Sequence, residues 1–217
     1  MNVIVVGNLK GGVGKSTIAC NLAVAAVLDG KKTLIIDADP QGSSMTFRAV
    51  RQSDNLKAVS IVQPTIHKDI SDFSNFDLVI VDAGGRDSTL FRSAVVAASG
   101  GILVIPILPS QYDIWATQDT FSILKEARTF AAIPAYALFN QVMSNTNVTK
   151  DAVETLQEMT GENEISLLTS QLFSRVDYKK SITEGTGVME YLPNSKAAHE
   201  VKALYAELVQ ILGDRQG

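Results

Sequence analysis

The sequence predicts a doubly wound α/β fold, a single and mainly parallel sheet flanked by helices. Short runs of Val, Ile and Leu with little polar alternation recur along the chain, as they do in strands covered on both faces. Between them lie longer segments whose apolar residues return with a helical period. Strand, helix and strand repeated in this way join through right-handed βαβ units. Ligands of such sheets bind beyond the C-terminal strand ends. Here the glycines, lysines and carboxylates suited to chemistry follow Val6, Asp37, Asp82, Ile107 and Phe139.

The apolar runs place strands at residues 2–6, 33–37, 58–62, 78–82, 102–107 and 136–139. The first helix starts near Lys15, carries Ile18, Leu22, Ala25 and Ala26 on one face, and is stopped by Gly30. Further helices are expected over 88–98, 114–131, 148–160, 178–183 and 196–212. No Pro/Gly/Ser-rich linker, internal repeat or low-complexity tract interrupts the pattern, so residues 1–217 read as one domain.

Composition narrows the class further. The 217 residues are 46% hydrophobic and 19% charged with a net charge of −4, which suits a globular chain and argues against disorder. No apolar run approaches the ~20 residues that span a bilayer. The N-terminus enters Val3-Ile4-Val5-Val6 without a basic segment or cleavage site, which predicts a cytoplasmic protein. A single cysteine, Cys20, can form neither an internal disulfide nor a metal cluster within one chain and reads as a small apolar helix residue. His67 and His199 lack metal-ligand spacing, and Trp115 and Phe121 read as core or interface.

After the first strand the chain runs Gly7-Asn8-Leu9-Lys10-Gly11-Gly12-Val13-Gly14-Lys15-Ser16-Thr17. A strand, a glycine-rich turn, Gly-Lys-Ser and then a helix is the context of a phosphate-binding loop. The glycines let backbone N–H groups turn inward, Lys15 reaches the β- and γ-phosphates, and the Ser16 hydroxyl ligates Mg²⁺. The helix N-terminus adds its dipole to the anion site. The usual pattern requires glycine where Leu9 stands. The second strand ends in Asp37-Ala38-Asp39-Pro40-Gln41-Gly42, two carboxylates suited to metal hydration and water positioning. A strand-capping Asp followed by an Asp-Pro turn is the alternative. Residues 76–82 form an apolar strand that closes on an acid, Asp82.

The octet Lys10, Gly11, Gly12, Val13, Gly14, Lys15, Ser16, Thr17 resembles the deviant Walker A motif of the ParA/MinD family of P-loop ATPases, most closely its small ParF-like partition members. The resemblance implies that Lys10 reaches across an ATP sandwich homodimer to the other subunit's phosphates. It further implies that Asp39 orients the attacking water, that Asp37 lies near the Mg²⁺ shell, and that Asp82 is the Walker B acid, which would hold Mg²⁺ through water. The family's usual Pro-Pro pair is replaced by Ala83-Gly84-Gly85-Arg86-Asp87, and Arg86 is either a phosphate sensor or a surface residue at the start of the next helix. Residues 105–113 either shape the dimer interface or form a proline-bounded loop. Asn140 matches the family's adenine-reading asparagine, with an Asx turn as the alternative.

Arg175, Lys179 and Lys180, with Lys196 and Lys202 behind them, match the basic C-terminal region that gives partition ATPases non-specific, ATP-dependent DNA binding. Phosphate neutralisation of that kind is blind to sequence and weakens with salt. A solvated helix face is the alternative. The implied function is a slow Mg²⁺-dependent ATPase, ATP/ADP-bound and nucleoid-associated in its ATP state. It would position plasmid, chromosome or other cargo through a ParB-like adaptor, without stable membrane association and without an N-terminal helix-turn-helix extension. A MinD-like membrane cycle is the other reading. It requires the last helix to expose an apolar face with basic flanks.

Overall fold

A computed structural model describes residues 1–86, 88–143 and 150–215. In chain order its elements are β1 (Asn2–Val6), α1 (Lys15–Leu28), β2 (Thr33–Ala38), α2 (Ser43–Val50), β3 (Lys57–Ser60), α3 (Ile66–Asp69), β4 (Leu78–Ala83), α4 (Thr89–Ala97), β5 (Gly101–Ile107), α5 (Gln111–Trp115), α6 (Gln118–Ala127), β6 (Ala135–Phe139), α7 (Lys150–Glu162), β7 (Ser166–Leu167), α8 (Val176–Thr183), α9 (Val188–Tyr191) and α10 (Lys196–Asp214). Seven strands in the order β3-β2-β4-β1-β5-β6-β7 form one sheet, and every pairing is parallel. The expected doubly wound architecture is therefore the observed one.

Period-2 alternation divides the strand side chains between two cores. Val3, Val5, Ile36, Val81 and Leu103 face α4, α6 and α7 through Phe91, Phe121 and Leu156. Ile4, Val6, Ile35, Ile80 and Val104 face α1 and α10 through Leu22, Val201 and Leu208. Each such fully buried aliphatic side chain contributes about 1.5–3 kcal/mol. The register pairs Asp37 with Asp82, and Val6 with Asp82, so the phosphate-loop exit and both acids leave the sheet at one level.

Several boundaries differ from expectation for physical reasons. Helix α1 does not present one apolar face: it is buried continuously from Ile18 to Ala26 because the sheet lies below it and α8–α10 lie above. The segment expected as one helix over 114–131 is broken into α5 and α6. At the break, buried Thr117 bonds the Asp113 carbonyl at 2.9 Å, and Trp115 points outward, 51% exposed rather than in the core. Helix α2 was not expected. It starts at Gly42 (φ +67°) and is held by burial of Ser44 and Phe47. The expected strand at 58–62 is Lys57–Ser60, and the two-residue β7 is an unanticipated edge. Residues 148–149 of the helix expected at 148–160 lie outside the described residues.

The last helix is committed to the fold. Val201, Leu204, Leu208 and Leu212 are buried against the second core, and Tyr205 donates to Asp29 at 3.1 Å. Among the described residues no helix is long and apolar enough to cross a membrane. At the far end of α2, Arg51 is buried and forks onto Glu190 with two 2.7 Å bonds while also reaching the Gly185 carbonyl at 3.0 Å. That ties α2 to the α8–α9 segment.

Candidate nucleotide site

The loop after β1 is braced from beneath. Buried Asn8 accepts from the Lys10 amide and the Thr120 hydroxyl, both at 3.0 Å, and donates to the Pro106 carbonyl at 2.9 Å. The Leu9 amide donates to Thr120 at 3.0 Å. These bonds fix the loop start to β5 and α6. Gly14 caps α1 with φ +89°, and a Cβ there would fall 2.3 Å from Asn140 Nδ2. Only glycine combines that backbone with that approach. No side chain caps α1 and no acid occupies its first turn, so its orphan N–H groups and positive dipole end remain available to an anion.

Lys15 is buried and donates to the Lys10 carbonyl at 3.0 Å. Burial lowers its ammonium pKa, while Asp82 and Asp39 oppose the shift. Gly85, in the segment that replaces the expected Pro-Pro pair, lies against this lysine: a Cβ there would sit 2.9 Å from Nζ.

Three carboxylates stand opposite the loop in different environments. Asp82 is fully buried; Ser44 donates to its Oδ2 at 2.6 Å, and its Oδ1 has no partner. Burial pushes Asp82 up to about 6, and Ser16 lies beside it. Asp37 is also fully buried, but its oxygens accept from the backbone amides of Asp39 (3.1 Å) and Met45 (2.8 Å). It therefore shapes the turn into α2. Burial raises its pKa as well. Asp39 is half-buried on the cleft wall and accepts from the Gln41 amide at 2.9 Å.

The loop and Asp39 border a cleft of about 800 Å³ lined by Gly12, Lys15, Thr17, Asp39, Gly84 and the exposed Arg86 among others. Among the described residues no trio of His, Cys, Asp or Glu forms a metal cluster. Mg²⁺ does not need one, because it commonly binds one or two protein oxygens plus waters and substrate phosphates. The orphaned oxygen of Asp82 beside the Ser16 hydroxyl fits that requirement.

Lys10 is held within its own chain. Its Nζ lies 2.6 Å from Asp113 Oδ1, which is set by Ser110 at the start of α5. Beside the pair, Tyr112 (80% exposed) and Trp115 form an edge-to-face contact at 5.7 Å. On the other side of the loop, Asn140 Nδ2 donates to the Val13 carbonyl at 2.7 Å and Gln141 donates to Gly12 at 2.9 Å. A smaller cavity of about 130 Å³ adjoins Asn140, Thr17, Phe173 and Lys179.

The basic cluster divides. Arg175 bonds Glu200 through Nε (2.7 Å) and Nη2 (2.5 Å) and stacks over Phe173 at 5.3 Å, so its charge is compensated. Lys179, Lys180, Lys196 and Lys202 are exposed. His67 bonds Ser93 at 2.8 Å and His199 is exposed. Sequence reasoning missed Ser44, Asn8, Thr120 and Asp113. The one signal available for Ser44 was its position two residues past Gly42, directly after the paired acids.

The CbiA family, described as CobQ/CobB/MinD/ParA nucleotide binding domain, matches residues 4–188. The "Maintenance of carboxysome distribution protein A" of Halothiobacillus neapolitanus is 28% identical over 217 residues, covering 95% of each chain. The "Chromosome-partitioning ATPase Soj" of Thermus thermophilus is 29% identical over 156 residues, 58% of this chain and 62% of that one. Among solved structures, an ATP complex of Cyanothece McdA superposes with a TM-score of 0.77 at 17% identity, covering 98% of this chain and 96% of that chain. The family match spans the loop, all three carboxylates and the adjoining cleft, and the chain belongs to the CobQ/CobB/MinD/ParA family as a P-loop ATPase of the ParA/MinD type.

Proposed function

We propose that this chain is a positioning ATPase whose ATP-bound sandwich dimer holds non-specific DNA and is released when a cargo-bound, ParB-like adaptor stimulates hydrolysis. The observation that carries this reading is that Lys15, Ser16 and Asp39 line one cleft at the C-terminal edge of the sheet, with Asp82 buried beside Ser16. One relative is named for carboxysome distribution and another for chromosome partitioning, and both names support a positioning role. The commitment of the apolar face of α10 to the core favours DNA over a lipid surface. Lys179 and Lys180 supply the exposed charge for phosphate contacts.

Mg²⁺, held by Ser16 and, through water, by Asp82, would neutralise charge on the β- and γ-phosphates. The loop amides and the α1 N-terminus cradle the phosphates, and Lys15 adds a fixed cation where negative charge grows during cleavage. Asp39, on the cleft wall, orients a water by accepting its hydrogen bond. Lys10 of the second copy completes the cationic surround.

The test is binding of the Asp39→Ala protein to non-specific duplex DNA with Mg-ATP or ADP across a salt series. Binding only with ATP, falling steeply as salt rises, is expected. An ATP-driven dimer that ignores DNA would overturn the DNA reading and leave the ATPase intact.

A further inference from the structure

Helix α2 sends one hydroxyl into the nucleotide site. Ser44 is fully buried, in the first turn after the Asp37–Gly42 segment. Its Oγ donates to Asp82 Oδ2 at 2.6 Å. The other oxygen of Asp82, equally buried, has no partner. A carboxylate rotates about its last bond unless something fixes it. Ser44 fixes one oxygen and thereby aims the other.

We propose that Ser44 is a positioning residue that orients Asp82 for Mg²⁺ and makes metal affinity depend on the placement of α2. This rests on the reading of Asp82 as the acid of the Mg²⁺ site. The bond lies close to the Asp37–Gly42 turn. Met45, the next residue, donates its amide to Asp37 at 2.8 Å, and Asp37 in turn accepts from the Asp39 amide. A shift of α2 therefore changes the Asp39 turn and the Asp82 rotamer together. Partners that orient metal ligands typically contribute 10–100-fold in affinity. Cys20 Sγ shares a weak hydrogen bond with Ser44 Oγ at 3.5 Å and makes none to the carboxylate.

The experiment measures a fluorescent ADP analogue bound to the full chain as Mg²⁺ is titrated, so that hydrolysis plays no part. Ser44→Ala should raise the Mg²⁺ half-saturation about tenfold or more. Its affinity without Mg²⁺ should stay within about twofold of the parent, because the phosphate loop is untouched. Ser44→Thr, which keeps the hydroxyl, should restore the parental midpoint. Cys20→Ala, which removes the weak thiol bond to Ser44 but keeps the bond from Ser44 to Asp82, should leave it unmoved. Thermal melting of each variant identifies any that fails to fold.

If Asp82→Asn shifts the Mg²⁺ midpoint and Ser44→Ala does not, the inference about Ser44 is overturned. If Asp82→Asn itself has no effect, the assignment of the metal site fails instead. Equal losses with and without Mg²⁺ would reduce Ser44 to a packing role.

Discussion

Lys10 and Asp113 are ion-paired within one chain, so in the proposed sandwich each Lys10 has to leave its own aspartate. The pair is close, 2.6 Å, with side chains 32% and 18% exposed. Burial pushes the Asp113 carboxyl up, but bonds from Lys10 and Ser110 outweigh it and hold it below its ordinary range, so Asp113 stays a carboxylate at neutral pH. A partly exposed pair of this kind contributes about 0.5–1 kcal/mol. Two such pairs broken per dimer oppose association by about 1–2 kcal/mol, or roughly five- to thirtyfold in the dimerisation constant. Asp113→Ala removes that opposition. In an Asp39→Ala background with saturating Mg-ATP, sedimentation should show the double variant dimerising roughly five- to thirtyfold more tightly. Asp113→Asn, which can still accept from Ser110, separates the charge from the helix cap. An unchanged or weaker dimer would refute the reasoning, since it would mean that Asp113 also supports Lys10 in the assembled state.

Other perturbations follow from the same geometry. Gly14→Ala places a methyl 2.3 Å from Asn140 Nδ2 on a backbone with φ +89°, so nucleotide affinity should fall at least tenfold by equilibrium titration. Lys15→Ala should abolish tight nucleotide binding, and unchanged affinity would remove the phosphate-loop assignment. Glu190→Gln leaves the buried Arg51 without its counter-charge and should destabilise by about 3 kcal/mol in denaturant unfolding at pH 7. Burial raises the Glu190 carboxyl, but Arg51 outweighs it and holds the group below its ordinary value of 4.5. A carboxylate depressed in the folded state stabilises above its unfolded pKa and loses that contribution as pH falls through the folded one. The gap between parent and Glu190→Gln should therefore be full at neutral pH and shrink below about 4.5.

The sheet was legible because parallel strands are apolar on both faces, and the runs at Val3–Val6 and 78–82 announce that burial directly. The phosphate loop and the acids were legible because phosphate chemistry constrains short, contiguous spacing. What escaped depends on residues distant in sequence. Ser44 meets Asp82 across 38 positions, and Asn8 meets Thr120 across 112. Neither serine nor threonine carries a local sign of such a bond. The break between α5 and α6 was hidden for a related reason: helical periodicity continues through residues 114–127, while the turn is enforced by Thr117, buried between Asp113 and Asn8. Arg175 showed the reverse problem. Its charge suits a DNA surface in sequence, whereas in space Glu200 on α10 already neutralises it.

The central claim is an ATP-dependent sandwich completed by Lys10, and light scattering during size exclusion tests it most directly. Asp39→Ala protein with Mg-ATP should elute at twice the chain's mass, and with ADP at the mass of one chain. Adding Lys10→Ala should return the ATP sample to one chain without abolishing nucleotide binding. A protein that binds ATP yet stays at one chain's mass in every sample would contradict the account.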